Sequence, residues 1–143
     1  MNVEHILSEK GRQVVTIGPE ASLMDAGRML SEKRIGAVVV ADPGNPVLGI
    51  LSERDIVRAV ATNGVAALDQ PVSRYMTAKV VTCTTRSAIN DLMETMTNGK
   101  FRHVPIVEDG RLIGIVSIGD VVKFRVAEIE SESRALRDYI ATA

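Results

Sequence analysis

The chain is written twice. Val14-Val15-Thr16 returns as Val80-Val81-Thr82, an offset of 66 positions (80 against 14), and the same offset carries Asp25 onto Asp91 and Val38 onto Val104. After a one-residue shortening in a loop, Gly49-Ile50-Leu51-Ser52 returns as Gly114-Ile115-Val116-Ser117, with Asp55 on Asp120 and Val57 on Val122. Upstream, Val3-Glu4-His5-Ile6-Leu7 resembles Val72-Ser73-Arg74-Tyr75-Met76. Each unit is about 65 residues long, which is too small to bury a good core alone. Two like units with apolar sheet faces therefore pack on each other. The expected product is one α+β body with a pseudo-twofold axis, and with ligand-sized clefts between its halves.

Each unit carries the same order of elements, β-α-β-β-α. A short strand is predicted first, over Val14–Ile17 and again over Val80–Cys83. A helix follows, from Ser22 to Lys33 and from Ser87 to Asn98. In unit one Leu23, Ala26, Met29 and Leu30 fall on one helical face. Val-rich strands are predicted over Ala37–Val40 and Val104–Val107. Turns come next, Asp42-Pro43-Gly44-Asn45 and Glu108-Asp109-Gly110; Asp-Gly between apolar runs signals a hairpin. Third strands, Val47–Leu51 and Leu112–Val116, then lead into second helices, with Ser52 and Ser117 at the N-cap positions. The division is repeat one over 1–70, repeat two over 71–127 and a helical extension over 128–143.

Composition limits the function. Lys and Arg number 17 against 18 Asp and Glu, so no basic excess argues for nucleic acid. There are two Phe, two Tyr and no Trp, and 45% of residues are hydrophobic, so the core is aliphatic. A single cysteine, Cys83, rules out an intrachain disulfide or a Cys-rich zinc site. Its place at the end of a Val-rich strand suggests packing. The two histidines and scattered carboxylates make no recognisable metal set. Neither a Walker loop nor Gly-x-Gly-x-x-Gly is present. The first ten residues lack the order of a signal peptide, and no apolar run nears the roughly 18 residues of a membrane span. The expectation is a soluble cytoplasmic protein with no metal, membrane or nucleic-acid partner.

The duplicated phrase is Gly, two aliphatics, Ser, two variable positions and Asp: 49–55 and 114–120. A strand ends at the hydroxyl and a helix begins there. The free N–H groups of a helix start favour an anion such as phosphate. Asp, three residues on, lies one turn up the helix on the same side. A carboxylate there can accept from both hydroxyls of a ribose, each such bond being worth about 1.5–3 kcal/mol. Ser-x-x-Asp is also an ordinary capping arrangement. The two roles are compatible.

With the β-α-β-β-α order, the preceding Arg102-His103-Val104-Pro105-Ile106 and the Met76-Thr77 that opens unit two, the chain resembles the CBS-domain family over roughly Val3 to Arg125. The resemblance implies two cross-wired adenosyl sites. The first would gather Ser52, Arg54, Asp55, Thr84, Phe101, Arg102 and His103. The second would gather Ser117, Gly119, Asp120, Gly18, Ile35, Gly36 and Ala37. Phe101 and Ile35 would wall the adenine. The first site, with Arg54, Arg102, His103 and nearby Lys100, is suited to a di- or triphosphate. The second has Gly36 and Ala37 in place of Arg102 and His103, and is expected to lack local cations. Arg102 and His103 can also be read as a solvated strand edge.

The implied ligand is an adenine nucleotide: AMP first, with ADP, ATP, NAD or S-adenosylmethionine as alternatives. The implied role is a non-catalytic sensor that signals to a regulated protein. Two other readings are an enzyme fragment such as a dehydrogenase, and a structural dimerisation module with dead sites. The length leaves no room for a catalytic domain, and no acid–base set with an orienting partner can be named. Retention of Asp55 and Asp120 opposes dead sites. Beyond the repeats, Val122, Val126, Ile129, Ser133, Leu136 and Ile140 step by 4, 3, 4, 3, 4, a heptad-like seam. That seam either packs on the chain's own core or joins a partner subunit, and a homodimer is expected.

Overall fold

The computed structural model describes residues 1–142. The elements run α1 (Val3–Lys10), β1 (Thr16–Ile17), α2 (Leu23–Lys33), β2 (Ala37–Asp42), β3 (Asn45–Ser52), α3 (Glu53–Asn63), two short 3-10 turns (Val65–Asp69 and Val72–Arg74), α4 (Ile89–Gly99), β4 (His103–Glu108), β5 (Arg111–Ser117) and α5 (Ile118–Thr142). One sheet has the order β1-β2-β3, with β1 parallel and β3 antiparallel to β2. The other is the antiparallel pair β4-β5. This is the α+β duplication that the repeat predicts.

Local chemistry explains the boundaries. Ser22 caps α2, its side chain accepting from the Asp25 amide. Asp42 Oδ1 accepts from the Gly44 and Asn45 amides, both at 2.8 Å, and so closes the β2–β3 turn. Asp109 and Gly110, at φ 51° and 74°, form the β4–β5 turn in the left-handed region that Asp-Gly tolerates.

Three expectations change. The strand predicted over Val80–Cys83 shrinks to one bridge, Cys83 with Ile106, because residues 79–81 line a cleft instead of joining the sheet. The helix expected from Ser87 begins at Ile89, while the Ser87 hydroxyl accepts from the Thr84 amide. Third, the strand predicted over Val14–Ile17 shortens to Thr16–Ile17. The cores do not follow the sequence units. Val3, Ile6 and Leu7 of α1 pack with Ile89, Met96, Val104 and Phe124 of the second unit. Val72, Tyr75 and Met76 pack with Leu23, Val38 and Leu51 of the first. Each core takes its lead-in segment from the other unit, so neither half is complete alone.

The motif glycines serve this exchange. A Cβ on Gly49 would stand 2.6 Å from Met76 Sδ and 2.7 Å from the Thr77 carbonyl oxygen; one on Gly114 would stand 2.7 Å from Leu7 Cδ2. Thr77 and Ile50 exchange backbone hydrogen bonds of 2.9 and 3.0 Å, so the contact at Gly49 has a fixed backbone atom in it. At Gly114 the opposing atoms belong to a side chain, and a shift of the buried Leu7 makes the room. Gly49→Ala is therefore expected to destabilise by about 1–3 kcal/mol, and Gly114→Ala by less. Urea unfolding of both variants measures this, and equal losses would contradict it.

Helix α5 runs unbroken past residue 127. Val121 and Phe124 are buried, but the seam is open: Val122, Val126, Ile129, Leu136 and Ile140 are 44%, 47%, 48%, 60% and 65% exposed. The extension therefore does not pack on its own core. Ala143 of the expected 128–143 segment lies outside the described residues.

Candidate ligand-binding cleft

Ser52 ends β3 and caps α3. Asp55 Oδ2 accepts from the Ser52 amide at 2.9 Å and from Ser52 Oγ at 3.1 Å, while Ser52 Oγ accepts from the Asp55 amide at 3.3 Å. Ser117 and Asp120 repeat the set at 2.9, 2.9 and 3.2 Å. Capping is thus present in both copies. It occupies one carboxylate oxygen of Asp55; the other, Oδ1, has Arg58 at 3.9 Å, and the Arg58 side chain is 75% exposed. The Glu53 amide donates to the Gly36 carbonyl at 3.0 Å. The start of α3 is therefore largely satisfied internally.

A cleft of about 380 Å3 opens in front of this cap. Ser52, Arg54 and Asp55 line it from the first unit, and Phe101, Arg102 and His103 from the second. Six of the seven residues expected at the first site are thus brought together. Thr84 is not part of this lining; its Oγ1 accepts from the Arg86 amide in the turn before α4. The lead-in wall is Thr77, Lys79, Val80 and Val81, three to seven residues before Thr84 in the chain. Lys79 and Arg58 were missed. Lys79 directly precedes the Val-Val-Thr copy, and Arg58 lies one turn beyond Asp55, so both were readable. Arg54, Arg58, Lys79, Lys100 and Arg102 face only Glu53 and Asp55 in the lining. A cleft with that surplus of cations and an aromatic wall suits a planar base joined to an anion.

Gly36, expected at the second site, also lines this cleft, and a Cβ there would lie 3.5 Å from His103 Nε2. Ile35 and Gly36 also border a shallower groove between α2 and α3. His103 pairs in register with Ser117 across β4 and β5, yet it lines the cleft with Ser52. It stands between the two caps. Burial, aided by Lys10 and Arg102 and opposed by Asp120 and Glu53, holds its pKa below the ordinary 6.5. The folded chain therefore resists protonating this ring. Its stabilising share is complete above pH 6.5 and is lost as pH falls below that value. The expected result is a fall in stability on acidification from pH 7 to 5 that His103→Gln makes shallower. Chemical unfolding at several pH values checks it, and identical slopes would contradict it.

The second grouping differs from expectation. Asp120 Oδ2 also accepts from Lys10 Nζ at 2.6 Å, and Lys10 donates to the Ile115 carbonyl at 2.8 Å. Burial raises the Asp120 pKa, but the Lys10 and Ser117 bonds outweigh it and hold the group below the ordinary carboxylate value. The second site does have a cation, supplied by α1 and placed on the motif carboxylate itself. Gly18, Ile35, Ala37, Ser117, Gly119 and Asp120 are not in the lining of the open cleft. Cys83 is half-buried and its thiol is pushed up by burial, with an opposing bond from Ser87, which agrees with a packing role. Among the described residues no cluster of metal-ligating side chains occurs, and no helix is long and apolar enough to cross a membrane.

The fold and cleft define a duplicated α+β module with a ligand-sized site between its units. The family model for the CBS domain matches residues 3–62 and 72–127, and the chain belongs to the CBS-domain family as a tandem pair. It is similar to the crystal structure of the CBS-domain containing protein ATU1752 from Agrobacterium tumefaciens, with 54% identity, a TM-score of 0.84 and coverage of 87% of this chain and 99% of that one. It is also similar to the CBS domain protein PAE2072 from Pyrobaculum aerophilum complexed with AMP, with 28% identity, a TM-score of 0.74 and coverage of 84% and 89%. An uncharacterized 17.7 kDa protein of Acidianus ambivalens is 38% identical over 112 residues, 78% of this chain and 66% of that protein. The chain spans about two thirds or less of the length of the first curated relatives it matches.

Proposed function

We propose that this chain is a regulatory adenosyl-nucleotide-binding module, without catalysis of its own, that signals to a regulated protein through a change of conformation. The observation that carries the reading is the open cleft, where Asp55 of one unit meets Phe101, Arg102 and His103 of the other. In this reading Asp55 Oδ1 accepts from the ribose, Phe101 borders the base, and the cations around Arg102 hold phosphate. AMP is the preferred ligand, with ADP, ATP and NAD as alternatives. The AMP complex of the Pyrobaculum relative supports the choice. The repeats over 1–70 and 71–127 act as the two halves of the sensor.

The two sites are unequal. At the second, Lys10 adds its charge to Asp120 Oδ2, the oxygen that already holds the cap, and leaves Oδ1 without a hydrogen bond among the described residues. A ligand that binds only the folded state raises its melting temperature. Thermal melts with AMP, ADP, ATP and NAD are expected to rise with ligand concentration. No rise with any of them at millimolar concentration would refute the reading.

A further inference from the structure

We infer that α5 joins two copies of this chain as a parallel, in-register coiled coil. The helix has 25 residues, or about 37 Å at 1.5 Å each, and it continues beyond residue 127, where the match to the CBS domain ends. Its buried face, Val121 and Phe124, holds it to its own body. The seam of Val122, Val126, Ile129, Ser133, Leu136 and Ile140 lies roughly a third of a turn away, at about 100° per residue, and is exposed. The spacing makes Val126, Ser133 and Ile140 the a positions, and Val122, Ile129 and Leu136 the d positions.

The flanking charges choose the occupant and its direction. Arg125 and Glu132 fall at g, and Glu130 and Arg137 at e. In a parallel pair, g meets the e position five residues on in the other helix. Arg125 then meets Glu130 of the second copy, and Glu132 meets Arg137; symmetry doubles both, giving four attractive pairs. The antiparallel pairing that keeps the same seam sets Glu130 against Glu130, Glu132 against Glu132 and Lys123 against Arg137. Every one of those is a like-charge pair. Arg125 also bonds Glu128 within its own chain, but a guanidinium has five donors and can serve both carboxylates. The parallel arrangement stacks the Ser133 hydroxyls on each other, while the antiparallel one sets each against Ile129. A second copy, parallel, is the occupant this pattern fits.

The test uses the full chain without nucleotide, so its outcome is separate from that of the ligand reading. Sedimentation equilibrium is expected to give a dimer. Glu132→Lys and Arg137→Glu each turn an attractive pair repulsive on both sides of the seam. Each alone is expected to weaken the dimer on the order of tenfold, with helix content by circular dichroism unchanged. Mixing the two variants restores opposite charges on both sides, and the mixture is expected to recover the original affinity as a heterodimer. With Cys83→Ser as background, Ser133→Cys is expected to form a 133–133 disulfide on mild oxidation. A monomeric full chain, a dimer indifferent to both charge variants, a mixture that stays dissociated, or a dimer that fails to cross-link at 133 would each overturn the inference. Association with a different protein's helix in place of a second copy would register as the monomer outcome.

Discussion

Asp55→Asn is expected to weaken AMP binding in the open cleft on the order of tenfold to a hundredfold, the equivalent of losing one or more hydrogen bonds to a charged group at about 1.5–3 kcal/mol. The argument rests on how the carboxylate divides its work. Oδ2 holds the cap through Ser52, and Oδ1 is left with only the distant Arg58. Asn keeps one carbonyl oxygen for the Ser52 amide and loses the charge and the second acceptor. The cap should survive with a loss below about 1 kcal/mol, since full removal of a capping group costs about that much. Binding and stability are thereby separated. Calorimetric titration with AMP measures the first, and a melt without ligand the second. A variant that binds AMP normally but melts much earlier would mean that Asp55 only caps.

Lys10→Ala is expected to raise the pKa of Asp120 towards the ordinary carboxylate value while AMP binding in the open cleft stays unchanged. Lys10 spans 110 positions to reach Asp120, and its ammonium bonds Oδ2, the oxygen that also holds the Ser117 cap. The pair is partly exposed, with side chains 33% and 25% accessible. Its direct contribution to stability is then about 1 kcal/mol or less. Removing it should leave the fold intact and AMP affinity in the open cleft unchanged, because Lys10 is not in that lining. Carboxyl titration by NMR measures the first effect, and calorimetric titration with AMP the second. A Lys10→Ala chain that binds AMP less tightly would show that Lys10 serves as a ligand cation, and an unmoved Asp120 titration would contradict the first.

Much of this was legible in the residues, and the parts that were not share a cause. Periodicity and turn chemistry place both sheets, because those signals are local: Asp109-Gly110 sets its own turn, and Ser22 and Ser52 set their own helix starts. The duplicated motif led to Ser52, Arg54 and Asp55 in the cleft lining, and the family resemblance to Phe101, Arg102 and His103. Long-range packing had no such signature. The exchange of lead-in segments was hidden, since Leu7 and Gly114 are far apart in the chain, and so were Met76 and Gly49 as a contact. The glycines could be read only as motif members until a neighbour's approach explained them. Lys10 was hidden for the same reason. Thr84 was expected from the family resemblance; the segment over Val80–Cys83 leaves the sheet early, and Lys79, Val80 and Val81 take the wall instead.

Isothermal titration of the purified chain with AMP tests the central claim most directly. The account predicts saturable binding in the open cleft, with a dissociation constant between about micromolar and millimolar. Asp55→Asn should reduce that binding, and Asp120→Asn should leave the open cleft's affinity unchanged. No heat of binding from AMP, ADP, ATP or NAD at millimolar concentration, or binding that survives Asp55→Asn at full affinity, would contradict it.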